Sequence, residues 1–163
     1  MSASVFSEVI SFRPIAVVRN GVFSRGEARW EDLLSRIEVD EALLPALEGV
    51  EEFSHMLVLF FCHRQPEGVA PLQVHPEGRP DMPLVGVFAT RSPRRPNRIA
   101  VTTVELVRRV GNVLTVRGLD ALDGTPVLDL KPYLLRGDRV ISPRVPAWLE
   151  RLWTLHDEER SHV

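Results

Sequence analysis

Four guanidinium groups fall within eight residues at Arg91, Arg94, Arg95 and Arg98, in a stretch whose Pro93 and Pro96 exclude regular structure. Arginine on a loop suits carboxylates and phosphates, which its planar fork can grip through two parallel bonds. A second chemical segment is Asp120-Ala121-Leu122-Asp123-Gly124, where two carboxylates flank a turn. Between these in interest stands His63, at the end of the apolar run Met56 to Cys62, a strand-end position where sites are often built. Cys62 and His63 are adjacent on that strand and point to opposite faces, so a Cys–His nucleophilic pair is not expected and Cys62 reads as core. His55 lies eight residues from His63, roughly 26 Å along a strand at about 3.3 Å per residue, too far to share a metal. No metal site is expected. The ten glycines are never closer than five positions apart, which excludes G-x-G, P-loop and Rossmann phosphate cradles. No side chain declares itself as a catalytic base.

These residues must be positioned mainly by strands. Arg13 to Val18, Arg36 to Val39, His55 to Cys62, Leu84 to Ala89, Ile99 to Arg109, Val113 to Leu119 and Val127 to Leu130 carry β-branched or alternating patterns. Gly111-Asn112 is a two-residue hairpin signal, and Asp123-Gly124 marks another turn. Asp40 can cap a helical turn over Glu41 to Leu47, closed by Gly49. Gln65 to Pro83 holds five prolines and two glycines and reads as a long irregular loop. Pro146 starts a short amphipathic helix over about 146–155. Six or seven strands in a meander with little helix predict a mainly β protein, a small single-domain β-barrel with short appended helices.

Composition agrees with one domain over 1–163 and with an ordinary soluble protein. The chain has 163 residues, 44% hydrophobic and 26% charged, with a mean hydropathy of -0.03. Its longest apolar run is far below the roughly 18–20 residues of a membrane helix, so no membrane association is expected. The start, Met-Ser-Ala-Ser-Val-Phe-Ser-Glu, has no basic segment and no apolar stretch of secretory type, and a cytoplasmic address is expected. Nineteen of the 20 basic residues are arginine and Lys131 is the only lysine. Net charge is -2, yet the arginine loop and the acidic segment Glu38 to Glu52 predict a positive face.

Two long motifs, Phe88-Ala89-Thr90-Arg91-Ser92-Pro93-Arg94-Arg95-Pro96-Asn97-Arg98-Ile99 and Leu119-Asp120-Ala121-Leu122-Asp123-Gly124-Thr125-Pro126-Val127-Leu128-Asp129-Leu130-Lys131-Pro132-Tyr133, closely resemble the TsaA-like, or TrmO-like, family. Pro14-Ile15-Ala16-Val17-Val18-Arg19, Leu47 to His55 and the strand ending at His63 agree, so the resemblance covers about 12–140. It implies a β-barrel S-adenosylmethionine-dependent methyltransferase that acts as a homodimer on the exocyclic amine of the threonylcarbamoylated adenosine next to the tRNA anticodon. Carried over by position, it implies donor binding by His63, Arg64, Arg91, Val101, Asp120, Ala121, Leu122 and Asp123. Loop backbone around Asp120 to Asp123 can meet an adenine edge or a ribose, and Arg91 the donor's carboxylate; a plain type I turn and a solvated Arg91 are the alternative. Ser24 to Trp30 stands where the family has a donor-contacting Pro-Arg-Gln motif, Arg98-Ile99-Ala100 stands for its Pro-Ile-Gly, and the extra C-terminal segment of longer bacterial enzymes is expected to be lacking.

Arg94, Arg95 and Arg98 would then contact RNA phosphates, or else form a solvated charged loop. A small barrel has little room for a deep pocket, and Phe60, Phe61, Trp148 and Trp153 supply more apolar surface than one small core needs, which agrees with a homodimer. Two functions stay open: methyl transfer to tRNA or another acceptor, and a non-catalytic barrel that binds the donor or RNA.

Overall fold

Met56, Val58 and Phe60 alternate with Leu57, Leu59 and Phe61, and in the computed structural model, which describes residues 8–161, the first three are buried inside a closed barrel. The described strands are β1 (Ala16–Arg19), β2 (Leu34–Val39), β3 (His55–Phe61), β4 (Gln73–Val74), β5 (Val85–Gly86), β6 (Ile99–Val110), β7 (Val113–Arg117) and β8 (Pro126–Pro132). The helices are α1 (Leu135–Asp138) and α2 (Ala147–Ser161). The expected mainly β barrel is therefore what the chain forms.

Two compact units divide the chain. The first, residues up to Arg64 with Ile99–Tyr133, holds the barrel, in the order β1-β2-β7-β6-β3-β8 with β8 pairing back to β1, all antiparallel. The expected meander is corrected here. After β2, the Asp40-capped 3-10 turn Glu41–Leu47 and a second turn at Val50–Glu52 carry the chain past two strand positions, and the β6–β7 hairpin later fills the gap. That hairpin turns on Gly111, at φ 59°, and Asn112, with Val110 opposite Val113. Register shifts at Leu59/Phe60 and at Leu106/Arg108 are irregularities of the kind that bend a strand and raise its twist.

Val18, Ile37, Val58, Leu114, Val116, Leu119 and Val127 have no solvent-accessible surface and form the centre of the core. Phe60 belongs to this core at 4% exposure, so it does not add to the outer apolar surface as the sequence suggested. Cys62 is half-buried and packs against the same cluster.

The second unit comprises Gln65–Arg98 and the residues from Leu134 onward. Gln65 to Pro83 is less irregular than its prolines suggest, because β4 pairs with β5 and a 3-10 turn follows at Pro76–Gly78. Leu84 to Ala89 is not one strand. It is β5 followed by a 3-10 turn at Val87–Ala89, closed where the Thr90 N–H and hydroxyl both donate to the Val87 carbonyl, leaving Phe88 76% exposed. The expected short C-terminal helix runs on to Ser161, and Arg79 pairs with Glu159 while His156 meets Glu77 across it.

Candidate functional site

β1 and β3 finish, and β2, β6 and β8 begin, at one end of the barrel: Phe61 is opposite Ile99, Leu34 opposite Arg117 and Val17 opposite Pro126. Three stretches of the first unit therefore emerge together, 20–33, 62–64 and 118–125. The chain leaves the barrel after Arg64 and re-enters at Ile99.

Asp123 ties two of these stretches. Its Oδ1 accepts the backbone N–H groups of Asn20 at 2.8 Å and Gly21 at 3.0 Å, its own N–H donates to the Val22 carbonyl at 2.7 Å, and Arg19 lies 3.6 Å from Oδ2. Asn20 completes the tie: Nδ2 donates to the buried Ser35 hydroxyl and to the Ala121 carbonyl, while Oδ1 accepts from the Val22 N–H. Gly21 N–H above all, then Asn20 N–H and Arg19, hold the Asp123 carboxyl below the usual carboxylate range. Gly124, at φ 78°, turns the chain into β8, and its N–H donates to Val18.

The third stretch joins through His63. Its Nδ1 lies 3.3 Å from the buried Thr125 hydroxyl, and its Nε2 accepts from Arg64 Nε at 3.4 Å. That pattern assigns the proton to Nδ1 in a neutral ring. Burial, and then the Arg64 charge, push the His63 pKa down, in agreement with the neutral form. Arg64 reaches on to the Phe23 carbonyl at 2.9 Å and places its guanidinium 5.5 Å from the centre of the Phe23 ring. Glu27 closes the same stretch by accepting from the Phe23 and Ser24 N–H groups and from the Ser24 hydroxyl, which is the main reason its pKa is lowered. Asp120 is open to solvent on one side but crowded on the other, and the crowding raises its pKa against the opposing pull of Arg25.

His63, Arg64, Asp120, Ala121, Leu122 and Asp123 are thus gathered at this end. Ala121 is buried against the core and contributes its carbonyl, and among the described residues no hydrogen bond uses the Leu122 N–H. Val101 stands apart on the outer face of β6 opposite Leu59, 45% exposed. Arg91 belongs to the second unit, exposed in its loop, as do Arg94, Arg95 and Arg98. Arg95 donates to the Thr90 carbonyl and covers Phe88 at 5.8 Å, and Arg98 donates to the Gln65 carbonyl. Asn20 and Phe23 were not singled out by the sequence, and Glu27 only as a member of the Ser24 to Trp30 departure. Among the described residues no group of three or more His, Cys, Asp and Glu side chains could hold a metal ion.

Replacing Asp123 with Ala removes the acceptor of two backbone N–H groups and is expected to cost about 1.5–3 kcal/mol in denaturant unfolding at neutral pH, with Asp123→Asn losing less because an amide oxygen remains. Because the folded carboxyl is depressed, its stabilisation is complete above the unfolded value of about 3.9 and disappears as pH falls through the folded value. Asp123→Asn should lack that part of the acid-side decline. An unfolding profile below pH 4 identical to the parent's would contradict the tie.

The profile of the tRNA-methyltransferase O N-terminal domain matches residues 19–139. A protein of Methanothermobacter thermautotrophicus named "Probable S-adenosyl-L-methionine-binding protein" is 43% identical over 128 residues, which cover 76% of this chain and 90% of that protein. The tRNA (adenine(37)-N6)-methyltransferase of Mus musculus is 44% identical over 89 residues, 55% of this chain and 20% of that protein. A crystal structure of TrmO from Pseudomonas aeruginosa has a TM-score of 0.70 at 30% identity, covering 88% of this chain and 63% of that one. The chain therefore spans less than two thirds of the solved bacterial protein and a fifth of the mouse enzyme. Since the matched stretch runs from the last residue of β1 through all of β8 and takes in every loop at the barrel end, the chain belongs to the tRNA-methyltransferase O N-terminal domain family.

Proposed function

We propose that this chain is an S-adenosylmethionine-dependent methyltransferase whose acceptor is the exocyclic amine of a modified adenosine next to the tRNA anticodon. The observation that carries this reading is the family match over residues 19–139, which spans the three loops gathered at one end of the barrel. S-adenosylmethionine offers an adenine edge, ribose hydroxyls, an ammonium and a carboxylate. The barrel end fits such a molecule in chemistry: Asp120 is an exposed carboxylate that would accept hydroxyl or ammonium protons, and the Leu122 N–H is a donor that would meet a heterocycle's edge. His63 and Arg64 would act there as a neutral ring and a held guanidinium, and Ala121 and Asp123 would set the loop's shape. Val101, on the outer face of β6, is left outside this reading of the barrel end.

When bound, the donor supplies a methyl group on a sulfonium. An adenine amine is a poor nucleophile, so the protein's contribution is alignment of the amine with that methyl group, a positional effect rather than the work of a strong base. A loop held by Asn20 and Asp123 is suited to alignment.

A second reading has its own support, because the archaeal relative that matches over 90% of its length is named for binding alone. One experiment separates the two. Labelled donor is incubated with the protein and total tRNA from a strain lacking it. Methyl transfer into tRNA is expected; saturable donor binding with no transfer to any RNA would leave the binding module as the function.

For RNA contact, Arg94 is the clearest candidate, since it is exposed and has no hydrogen bond or ion pair among the described residues, whereas Arg95 also holds the Thr90 carbonyl and Arg98 the Gln65 carbonyl. Arg94→Ala should lower the salt slope of tRNA binding by about one unit and leave thermal stability unchanged. An unaltered slope would make this a solvated loop.

The dimer is part of the same proposal. Trp153 is 50% exposed on α2, and Leu134, Leu135 and Ile141 of the same unit are also exposed, a set of apolar side chains that a second copy could cover. Sedimentation at micromolar concentration should give about twice 18.4 kDa; the single-chain mass would count against it.

A further inference from the structure

We propose that Phe23 is a stacking platform for a purine ring, held at the barrel end by Arg64 and Glu27. Exposed aromatic side chains are common, and Phe23, 53% exposed, would need no explanation by itself. What distinguishes it is how little freedom it keeps. Its N–H donates to Glu27, its carbonyl accepts from Arg64, and the same guanidinium lies over its ring. Arg64 is in turn held by His63, and His63 lies against Thr125. A residue whose backbone is held on both sides and whose ring meets a guanidinium on one face has less freedom left to lose, so a partner that covers the other face meets a smaller ordering cost.

The surroundings say what kind of partner fits. Val22 accepts from the Asp123 N–H, so across that bond the next residues are Phe23 on one side and Leu122 on the other. Phe23 offers a face, the Leu122 N–H a hydrogen-bond donor for an edge, and Asp120 an acceptor for hydroxyls. Face, edge and hydroxyl together describe a nucleoside. Stacking on an aromatic side chain tolerates any base, and the arginine beside it adds attraction for a π-system. The ligand class rests on the methyltransferase reading; the ordering of Phe23 does not. Two sources share the chemistry, the adenine of the methyl donor and a base of the acceptor RNA.

Titration calorimetry with S-adenosylhomocysteine and, separately, with a short single-stranded oligoadenosine tests the platform and identifies the source. Phe23→Ala is expected to weaken one of the two probes by about 5- to 150-fold. Phe23→Trp should retain or tighten that binding, and Phe23→Leu, which keeps apolar bulk but has no π-face, should behave like Ala. Because the ring is half in solvent, the unfolding midpoint should hardly move; if the Ala variant is destabilised, the Trp and Leu pair reads the same contrast. Parent-like affinity for both probes in Phe23→Ala and Phe23→Leu would overturn the platform and leave the methyltransferase reading intact. Binding of neither probe by the parent protein would overturn both. Phe23-dependent binding without methyl transfer to any RNA would uphold the platform and remove the reaction.

Discussion

The carboxylate of Asp123 is the acceptor on which the barrel end depends. Strands that stop together leave backbone N–H groups facing outward, and each must find a partner. Asn20 and Gly21, separated from Asp123 by about a hundred residues of chain, both find it in a single oxygen, and Asn20 then spends every polar atom of its side chain on Ser35, Ala121 and Val22. With that tie in place the positions of Phe23 and Leu122 follow, because they flank the Val22–Asp123 bond.

Charge on the barrel wall plays a smaller part. Arg36 with Glu38, Arg117 with Glu105 and Lys131 with Asp129 are exposed pairs of the kind that contribute about 0–1 kcal/mol. The only lysine of the chain is thus a partner on β8 to a carboxylate two residues away. Stability comes from the aliphatic interior. Arginines that reach into the loops, Arg64 to Phe23 and Arg109 to the Leu47 carbonyl, act as struts between segments distant in sequence.

Elements fixed by local chemistry were legible in the sequence. The β6–β7 hairpin follows from Gly111-Asn112 between β-branched runs, and the Asp40 cap is seen in the Ala42 N–H donating to its Oδ1. The strand order was not legible, because nothing in β2 states that β7 will lie beside it; that pairing joins segments about eighty residues apart and has no local signal. Leu84 to Ala89 misled because Val87, which reads as a strand residue, is held in a turn by Thr90. At the candidate site, the Asp120 to Asp123 segment and the His63–Arg64 pair, which the structure gathers at one barrel end, were the residues the family resemblance pointed to. Asn20 could not, since an asparagine after a strand looks like an ordinary turn residue until its partners at 35 and 121 are known. Phe23 was hidden for the same reason, and Glu27 was visible only as part of the Ser24 to Trp30 stretch.

The pairing of Phe61 with Ile99 has a consequence for variation in this protein. It holds the two ends of the segment between β3 and β6 one strand spacing apart, about 5 Å, whatever that segment contains. The entropy of closing a loop grows only logarithmically with its length, by about 0.6 kcal/mol per doubling, and the barrel's ladder already supplies the closure. Changes of length between Gln65 and Arg98 therefore cost the barrel little in closure entropy. The barrel can stay constant while the segment it carries changes length and charge, so a lineage could explore new partners through the insert without refolding the part that holds Asn20 to Asp123.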